Sequence, residues 1–525
     1  MENNTTFQTE ESLGKFNLID FANDIIEKRS RDIIPKGLST GKLIGKNVGD
    51  DIIDWLLNLI VSRLLKSFYN EVELIKVTYQ STDPTCKQSC NLSGLIIIPK
   101  SQNIQIRVPI IGYQHATQIM RKLVPSCFDK DKPLDNMEVI IGMLYASEYG
   151  SVVAMCDYQG MGSDTTHDHP YVNGNPIAKA AADLILTTKN SLNKYNIIWN
   201  NKLYLVGYSE GGYATMATTK EIIENPKYSD FKITQVAPMA GPHSLSYVMR
   251  NLMTRTEEFG DGYFLPMTLR GFLSAYGSSY GNGIFTKEKA VKKEFYNVWD
   301  MADGYHSAEE VNAAMPKVPK DILTDEMIKQ LTTNDSPAFQ ALFQNDRDNW
   351  KLSNVIDLRF YHGENDDRVP FQNSVIAKNN FSKQGFSFPI VPMFHLPFLK
   401  SIHLGAAMPC LLSAYYWFSV DINNHNDTLL AGERLEKGNQ LVSRNQKYSL
   451  RYQWDGSIAI YNLNDGTLVS MLNGVNEDAS LCIFQTDGNF ALYNKDGEVI
   501  WKFDSKCPGI NSKLTIGDDG HLSCN

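Results

Sequence analysis

The sequence lacks any stretch with the length and apolarity that a membrane span or a secretory signal requires. Residues 1–11 are polar and show no basic region followed by an apolar run. The most apolar early stretch, residues 55–65, is too short to cross a bilayer and is interrupted by Asn58 and Arg63. We interpret this stretch as an amphipathic helix packed on a core, with a membrane-surface helix as the alternative. We expect a cytoplasmic protein without a transmembrane segment.

Cysteine and concentrated positive charge are also scarce. The 8 cysteines are too few for a disulfide scaffold, and Cys86 and Cys90 have no second pair to complete a metal site, so we interpret them as free thiols. A formal net charge of -9, without a dense run of Lys and Arg, argues against nucleic acid as the main partner. His167 and His169 have no third ligand placed beside them, so we expect no metal and no other cofactor.

Two regions of different periodicity are present. Up to about residue 420, short apolar runs such as 94–99 and 203–207 alternate with helical stretches, which predicts a mainly parallel sheet with helices on both faces. After residue 426, short alternating strands are separated by repeated Asp-Gly turns, which predicts an all-β module. The predicted organisation is a helical N-terminal extension over 1–69, an α/β domain over 70–422 and a β domain over 428–525.

The segment Gly207–Gly212 carries the clearest chemical signal. It reads Gly-Tyr-Ser-Glu-Gly-Gly, follows an apolar strand and precedes a helical run. A nucleophilic serine needs this context, because the sharp strand-to-helix turn exposes its hydroxyl and the flanking glycines allow close backbone approach. Ser209 is therefore the candidate nucleophile.

A serine nucleophile also needs a base and a carboxylate that orients the base. The candidate acid is Asp366, which follows a strand and a His-Gly pair and lies three residues before Val369. Glu364 and Asp367 are close alternatives, and the whole acidic turn could instead be a solvated surface feature.

The candidate base is His403, at the head of a long apolar helix; the alternative, His395, is flanked by apolar residues and reads as a packed position. Two backbone N–H groups should stabilise the oxyanion. We expect one from Glu210, directly after the nucleophile, and the other from Thr117 or, less favoured, Ala116, in the loop after an earlier strand.

In combination, these motifs resemble the α/β-hydrolase superfamily, and within it the secretory-lipase-like and prolyl-oligopeptidase-like esterases. The resemblance covers about residues 70–420 and also includes the segments 113–117, 157–162 and 169–171. It implies hydrolysis of carboxylic esters, including lipids, through an acyl-enzyme. It also implies that an insertion over about 243–349 forms a helical lid, although an ordinary helical core is the alternative. One departure is Ala116, where many relatives have glycine.

Other functions stay open on this evidence. A serine peptidase of the prolyl-oligopeptidase type would use the same triad, and an inactive hydrolase scaffold could serve as a carbohydrate-binding protein.

The β domain contains a nine-residue pattern that resembles the sugar site of bulb-type mannose-binding lectins. Residues 485–493 match this pattern except for Ala491, and alternate residues of a strand point to one side, so their polar side chains form one row. The resemblance implies binding of mannose-type glycans by four side chains: Gln485, Asp487, Asn489 and Tyr493.

Two further copies of the pattern are present, one about 32 residues before and one about 32 residues after residues 485–493. The copy at 453–461 keeps Gln453, Asp455 and Tyr461 and has Ser457 in place of the asparagine. The copy at 517–525 keeps only the aspartate, so we expect it to be inactive. Three copies imply a three-sided β-prism, and the polar rows could also be remnants of an ancestral lectin.

Overall fold

The structure, a computed structural model, describes residues 6–30, 58, 62, 69, 71–100, 104–148, 150–352, 356–395 and 401–525. Apart from two positions, the stretch 55–65 that we interpret as an amphipathic helix lies outside these residues and stays a prediction. Within the described residues, no helix is both long enough and apolar enough to cross a membrane.

A ten-stranded sheet forms the centre of the first domain. Its spatial order is β1-β2-β3-β5-β4-β6-β7-β9-β10, with β8 paired to β7. The pairings from β1 through β2 and β3 to β5 are antiparallel. Beyond β5, all further pairings in this order are parallel. The strands are β1 Thr9–Asn17, β2 Glu71–Thr82, β3 Ser89–Pro99, β4 Ile106–Gln114, β5 Val152–Cys156, β6 Ile197–Tyr208, β7 Ile233–Met239, β8 Asp357–Leu358, β9 Phe360–Gly363 and β10 Ile390–Met393.

Helices cover both faces of the sheet. Apolar side chains of α3, α4 and α12 share one buried cluster with the sheet, and those of α1, α2 and α13 share another. The helices in the described residues are α1 Leu18–Ser30, α2 Met137–Ser147, α3 Gly174–Ser191, α4 Glu210–Glu224, α5 Arg250–Met253, α6 Phe264–Tyr276, α7 Lys287–Ala290, α8 Tyr296–Met301, α9 Ala308–Ala314, α10 Asp325–Thr332, α11 Pro337–Gln344, α12 Gln372–Ser382 and α13 Ile402–Ile422.

The N-terminal segment is not purely helical as predicted, because β1 extends the sheet by pairing antiparallel with β2. Its sequence, Thr-Glu-Glu-Ser-Leu-Gly-Lys-Phe-Asn, is mostly polar and charged. An edge strand with charged side chains resists pairing with other chains, and such a strand carries little of the apolar signal by which strands are recognised.

The insertion between β7 and β8 is helical and has its own apolar core. It begins with a π-helical turn at Leu245–Met249 and continues through α5 to α11. Its buried cluster includes Phe272, Trp299 and Leu342 and meets the sheet domain at Tyr171 and Tyr213. The insertion therefore lies next to the first helix after the candidate nucleophile.

The C-terminal domain consists of three antiparallel sheets, in agreement with the all-β prediction. Its core contains alternate residues from the sheets, among them Leu450, Phe484 and Leu514. Cys507 and Cys524 form a disulfide across this domain. The three sheets are β11 Thr428–Leu430 with β20 Lys513–Ile516 and β21 Leu522–Cys524; β12 Arg434–Leu435 with β17 Leu481–Phe484, β18 Asn489–Tyr493 and β19 Val499–Asp504; and β13 Gln440–Val442 with β14 Tyr448–Tyr452, β15 Ile458–Asn462 and β16 Leu468–Asn473.

The two domains are in direct contact. The Arg107 backbone N–H donates to Gly432 O at 2.7 Å, and its side chain donates to Ala431 O at 2.8 Å. From the other side, the Arg434 guanidinium lies over the Tyr69 ring and donates to Glu148 O. The outer face of the sheet containing β17 and β18 joins the buried cluster of the α/β domain, so this contact is apolar as well as polar.

Candidate active site

Ser209 lies on a strained turn between β6 and α4. Its backbone angles, φ 59° and ψ -121°, fall in a region that non-glycine residues rarely occupy, and such a conformation costs about 1–3 kcal/mol. The turn is possible because the neighbouring backbones approach closely. A Cβ on Gly211 would lie 2.1 Å from Gln114 O, and one on Gly207 would lie 2.4 Å from Gly211 O.

Ser209, His403 and Asp366 form one hydrogen-bonded chain. The Ser209 hydroxyl lies 2.8 Å from His403 Nε2, and His403 Nδ1 lies 2.6 Å from Asp366 Oδ2. All three side chains come from segments that follow the carboxyl ends of parallel strands, which meet at one edge of the sheet. The spacing fits proton transfer from the serine hydroxyl to the imidazole, with the carboxylate fixing the ring tautomer.

The environment of Asp366 keeps its carboxylate ionised. Burial alone would raise its pKa, but the charge of His403 and hydrogen bonding from His362 and His403 outweigh burial, so the pKa lies well below its usual range. The N–H groups of Arg368 and Val369 both donate to Asp366 Oδ1, at 2.9 and 2.8 Å.

The two alternative acids lie elsewhere. Asp367 Oδ1 accepts the backbone N–H of His403 and the hydroxyl of Ser401, both at 2.9 Å, so it holds the start of α13 and does not contact the imidazole ring. Glu364 is exposed. His395, the alternative base, is exposed rather than packed. It is not part of the hydrogen-bonded chain formed by Ser209, His403 and Asp366.

The loop after β4 contains the two candidate oxyanion donors, the backbone N–H groups of Ala116 and Thr117. The Ala116 N–H donates to both carboxylate oxygens of Glu138, at 3.1 Å each, and is therefore occupied. Within the described residues no protein group accepts from the Thr117 N–H. Thr117 is held through its hydroxyl, 3.2 Å from the Tyr171 hydroxyl. With the N–H of Glu210 at the start of α4, Thr117 is the better candidate for the oxyanion donor.

A mostly apolar cavity opens over Ser209 and His403. Most of its wall comes from the insertion. The apolar lining residues are Tyr171, Val172, Pro242, Leu245, Met249, Leu252, Met253, Phe259, Phe264, Leu265, Pro319 and Val369. Its charged lining pair is Arg368 with Asp261, whose Nε and Oδ2 atoms are 2.7 Å apart.

Two residues of the site, Glu138 and His362, were not assigned a role from the sequence. Glu138 comes from α2 and is buried, and burial raises its pKa. His362 is buried beside Asp366, where its Nε2 donates to Val369 O at 2.9 Å and its Nδ1 lies 2.8 Å from Ser374 Oγ. A lone glutamate on an apolar helix has no distinctive pattern, whereas the His-Gly pair after β9 was visible in the sequence.

The row at Gln485 lies partly against the α/β domain. Gln485 Nε2 donates to the Tyr493 hydroxyl at 2.7 Å, and Asn489 Nδ2 donates to Asp487 Oδ2 at 2.8 Å. Tyr493 and Ala491 are buried and belong to the apolar cluster shared with the α/β domain. Part of this row is therefore covered by the domain contact.

The row at Gln453 has similar internal bonding, and its tyrosine, Tyr461, is less buried than Tyr493. The Tyr461 hydroxyl donates to Gln453 Oε1 at 3.1 Å, and the Ser457 hydroxyl donates to Asp455 Oδ1 at 2.7 Å. Asp455 is exposed, and Trp454, between Gln453 and Asp455, is 78% exposed.

Comparisons with known proteins address the fold. No protein-family model matches the chain, and no curated protein matches it. Among solved structures, a candidate hydrolase of Legionella pneumophila superposes with a TM-score of 0.61 at 20% identity, covering 80% of this chain and 98% of that one. LipA, a rice cell wall degrading esterase of Xanthomonas oryzae, gives 0.58 at 19% identity, covering 79% and 96%. The chain has the α/β-hydrolase fold. Because both identities are low, this likeness establishes the fold alone, and the reaction has to be argued from the chain's own residues.

Proposed function

We propose that the chain is a serine hydrolase that cleaves carboxylic esters with apolar acyl groups. The observation that carries the proposal is the hydrogen-bonded chain Asp366–His403–Ser209 at the floor of a largely apolar cavity. The strained turn at Ser209 supports it, since such strain is concentrated where function requires a fixed geometry.

In the proposed mechanism, Ser209 Oγ attacks the ester carbonyl while His403 Nε2 takes its proton. Asp366 stabilises the imidazolium that forms, and the N–H groups of Glu210 and Thr117 donate to the oxyanion. His403 then protonates the departing alcohol, leaving the acyl group on Ser209. In the second half, His403 removes a proton from water, and the hydroxide equivalent releases the acid and restores Ser209.

Activity on matched substrates tests this proposal. We expect the purified chain to hydrolyse p-nitrophenyl esters and to prefer acyl chains of intermediate length over acetate, because an apolar cavity favours burial of methylenes. The p-nitroanilides of the same acids should be cleaved far more slowly. Faster cleavage of the amides would favour the peptidase alternative, and no turnover of either series would favour an inactive scaffold.

Leu252→Trp should shorten the preferred acyl chain, because the larger side chain would fill part of the cavity. Each excluded methylene forfeits about 0.8 kcal/mol, or roughly fourfold in kcat/KM. Esters that reach past the substitution should lose by this factor per methylene, while the acetate ester is little affected. Asn251→Trp, on the adjacent but exposed residue, is the matched control. A uniform loss across all chain lengths would argue against this wall as the acyl site.

We also propose that the C-terminal domain binds mannose-type sugars, and that the Gln453 row is the principal site. Its support is the contrast at the tyrosine of each row, since Tyr461 is partly exposed whereas Tyr493 is buried in the cluster shared with the α/β domain. Four or so hydrogen bonds, each with a net value of about 1 kcal/mol, would give a dissociation constant near millimolar.

Asp455→Ala should abolish sugar binding by the full chain, and Asp487→Ala should reduce it much less. Methyl mannoside can be titrated while the fluorescence of the protein is followed, because Trp454 is exposed between Gln453 and Asp455. Saturation-transfer NMR gives an independent reading. The reverse order of the two losses would assign the site to the Gln485 row, and no binding at tens of millimolar sugar would leave the domain without this role.

A further inference from the structure

A buried histidine–carboxyl pair includes the residue that directly follows the candidate nucleophile. His169 Nε2 is 2.6 Å from Glu210 Oε1, and both side chains are almost fully buried. Glu210 is the residue whose backbone N–H is proposed above to bind the oxyanion. Its side chain is therefore fixed close to the point where negative charge develops during the proposed reaction.

The hydrogen bonds of His169 determine the charge of the pair. Its Nδ1 lies 3.1 Å from Gln159 O, and a carbonyl can only accept, so Nδ1 carries a proton. Nε2 then either donates to an ionised Glu210 or accepts from a protonated one. In both cases one proton lies between Nε2 and Oε1, and the pair as a whole is neutral.

Among the described residues, the Glu210 carboxyl makes no hydrogen bond or ion pair besides the one with His169. Its second oxygen, Oε2, is buried and has no hydrogen-bond partner among the described residues. The acidic and phenolic groups whose pKa values Glu210 raises are Glu138, Tyr158, Tyr171 and Tyr263. None of these supplies a positive charge. His169 is held in place by stacking on Tyr158, with ring centroids 5.7 Å apart.

We infer that His169 is a positioning residue that keeps the Glu210 carboxyl neutralised and in place behind the oxyanion hole. This inference rests on the proposed function. An unpaired carboxylate on Glu210 would repel the oxyanion in a site of low dielectric constant, whereas the neutral ester would feel little of that charge. The effect of His169 therefore falls on the transition state and on kcat, with little change in KM.

His169→Asn tests the inference by removing the partner of Glu210. We expect kcat for ester hydrolysis to fall by roughly 10- to 100-fold with KM nearly unchanged, a smaller loss than the 10²–10³ typical of losing an oxyanion donor outright. His167→Asn is the matched control, because His167 lies two residues away, bonds to Asp164 and does not contact Glu210. It should leave kcat close to the wild-type value.

The double variant His169→Asn/Glu210→Gln separates charge from packing. Glutamine cannot ionise, so in the Glu210→Gln background the loss of His169 should change kcat by less than about threefold. The comparison of Glu210→Gln with the double variant can be made even if His169→Asn alone fails to fold, and a large loss of kcat there would overturn the inference. An equal loss in both backgrounds, an unchanged kcat in His169→Asn, or a rise in KM alone would overturn the inference. Wild-type turnover in the same assay distinguishes these results from failure of the proposed esterase function.

Discussion

Ser209→Ala is expected to lower kcat for ester hydrolysis by about 10⁶-fold, the scale typical of losing the nucleophile of a triad. The substitution removes the hydroxyl that lies 2.8 Å from His403 Nε2 and leaves the surrounding backbone contacts in place. Turnover of a p-nitrophenyl ester by the purified variant is the measurement, with circular dichroism to check that the fold persists.

Ser382→Ala is a matched control for this variant, since Ser382 is exposed on α12 and remote from the cavity. It should retain wild-type turnover. Retention of more than about a tenth of wild-type activity by Ser209→Ala, a barrier change of under about 1.4 kcal/mol, would show that another residue is the nucleophile.

Asp366→Asn is expected to lower kcat by about 10⁴-fold, because an amide at this position favours the wrong tautomer of His403. Asp367→Asn should lose less than about tenfold, since its amide oxygen can still accept the His403 N–H and the Ser401 hydroxyl. The pair is a controlled comparison of adjacent aspartates with different contacts. Similar losses in both variants, or a greater loss in Asp367→Asn, would move the orienting role to Asp367.

The sequence was most informative where chemistry depends on local backbone shape. Ser209 is marked by glycines that its tight turn requires, and Asp366 by a His-Gly pair and a fixed distance to Val369. Parallel strands bring these turns to one edge of the sheet, so the meeting of Ser209, Asp366 and His403 could be expected from strand order. These constraints act over a few residues and leave a readable pattern.

Contacts between distant segments left no such pattern. The Glu138 carboxylate determines which N–H of the β4 loop is occupied, yet it lies 22 residues away, on α2, as one acidic residue in an apolar helix. The docking of β17 and β18 on the α/β domain likewise depends on apolar residues that also suit a free-standing domain.

The charged edge strand β1 could not be predicted from the sequence either. Its polar sequence did not predict a strand. At a sheet edge, charged side chains prevent pairing with other chains, and they stand where an inner strand would have apolar residues. Its position depends on antiparallel pairing with β2, more than 50 residues later in the chain, which local periodicity does not encode.

Active-site labelling tests the central claim, the role of Ser209 as an activated nucleophile, most directly. The intact chain is treated with a fluorophosphonate, and the modified residue is identified by mass spectrometry of peptides while ester hydrolysis is followed in parallel. The account predicts one adduct per chain, on Ser209, formed in step with the loss of activity and absent from Ser209→Ala. Ester hydrolysis that survives complete labelling of Ser209, or an inactivating adduct on another residue, would contradict it.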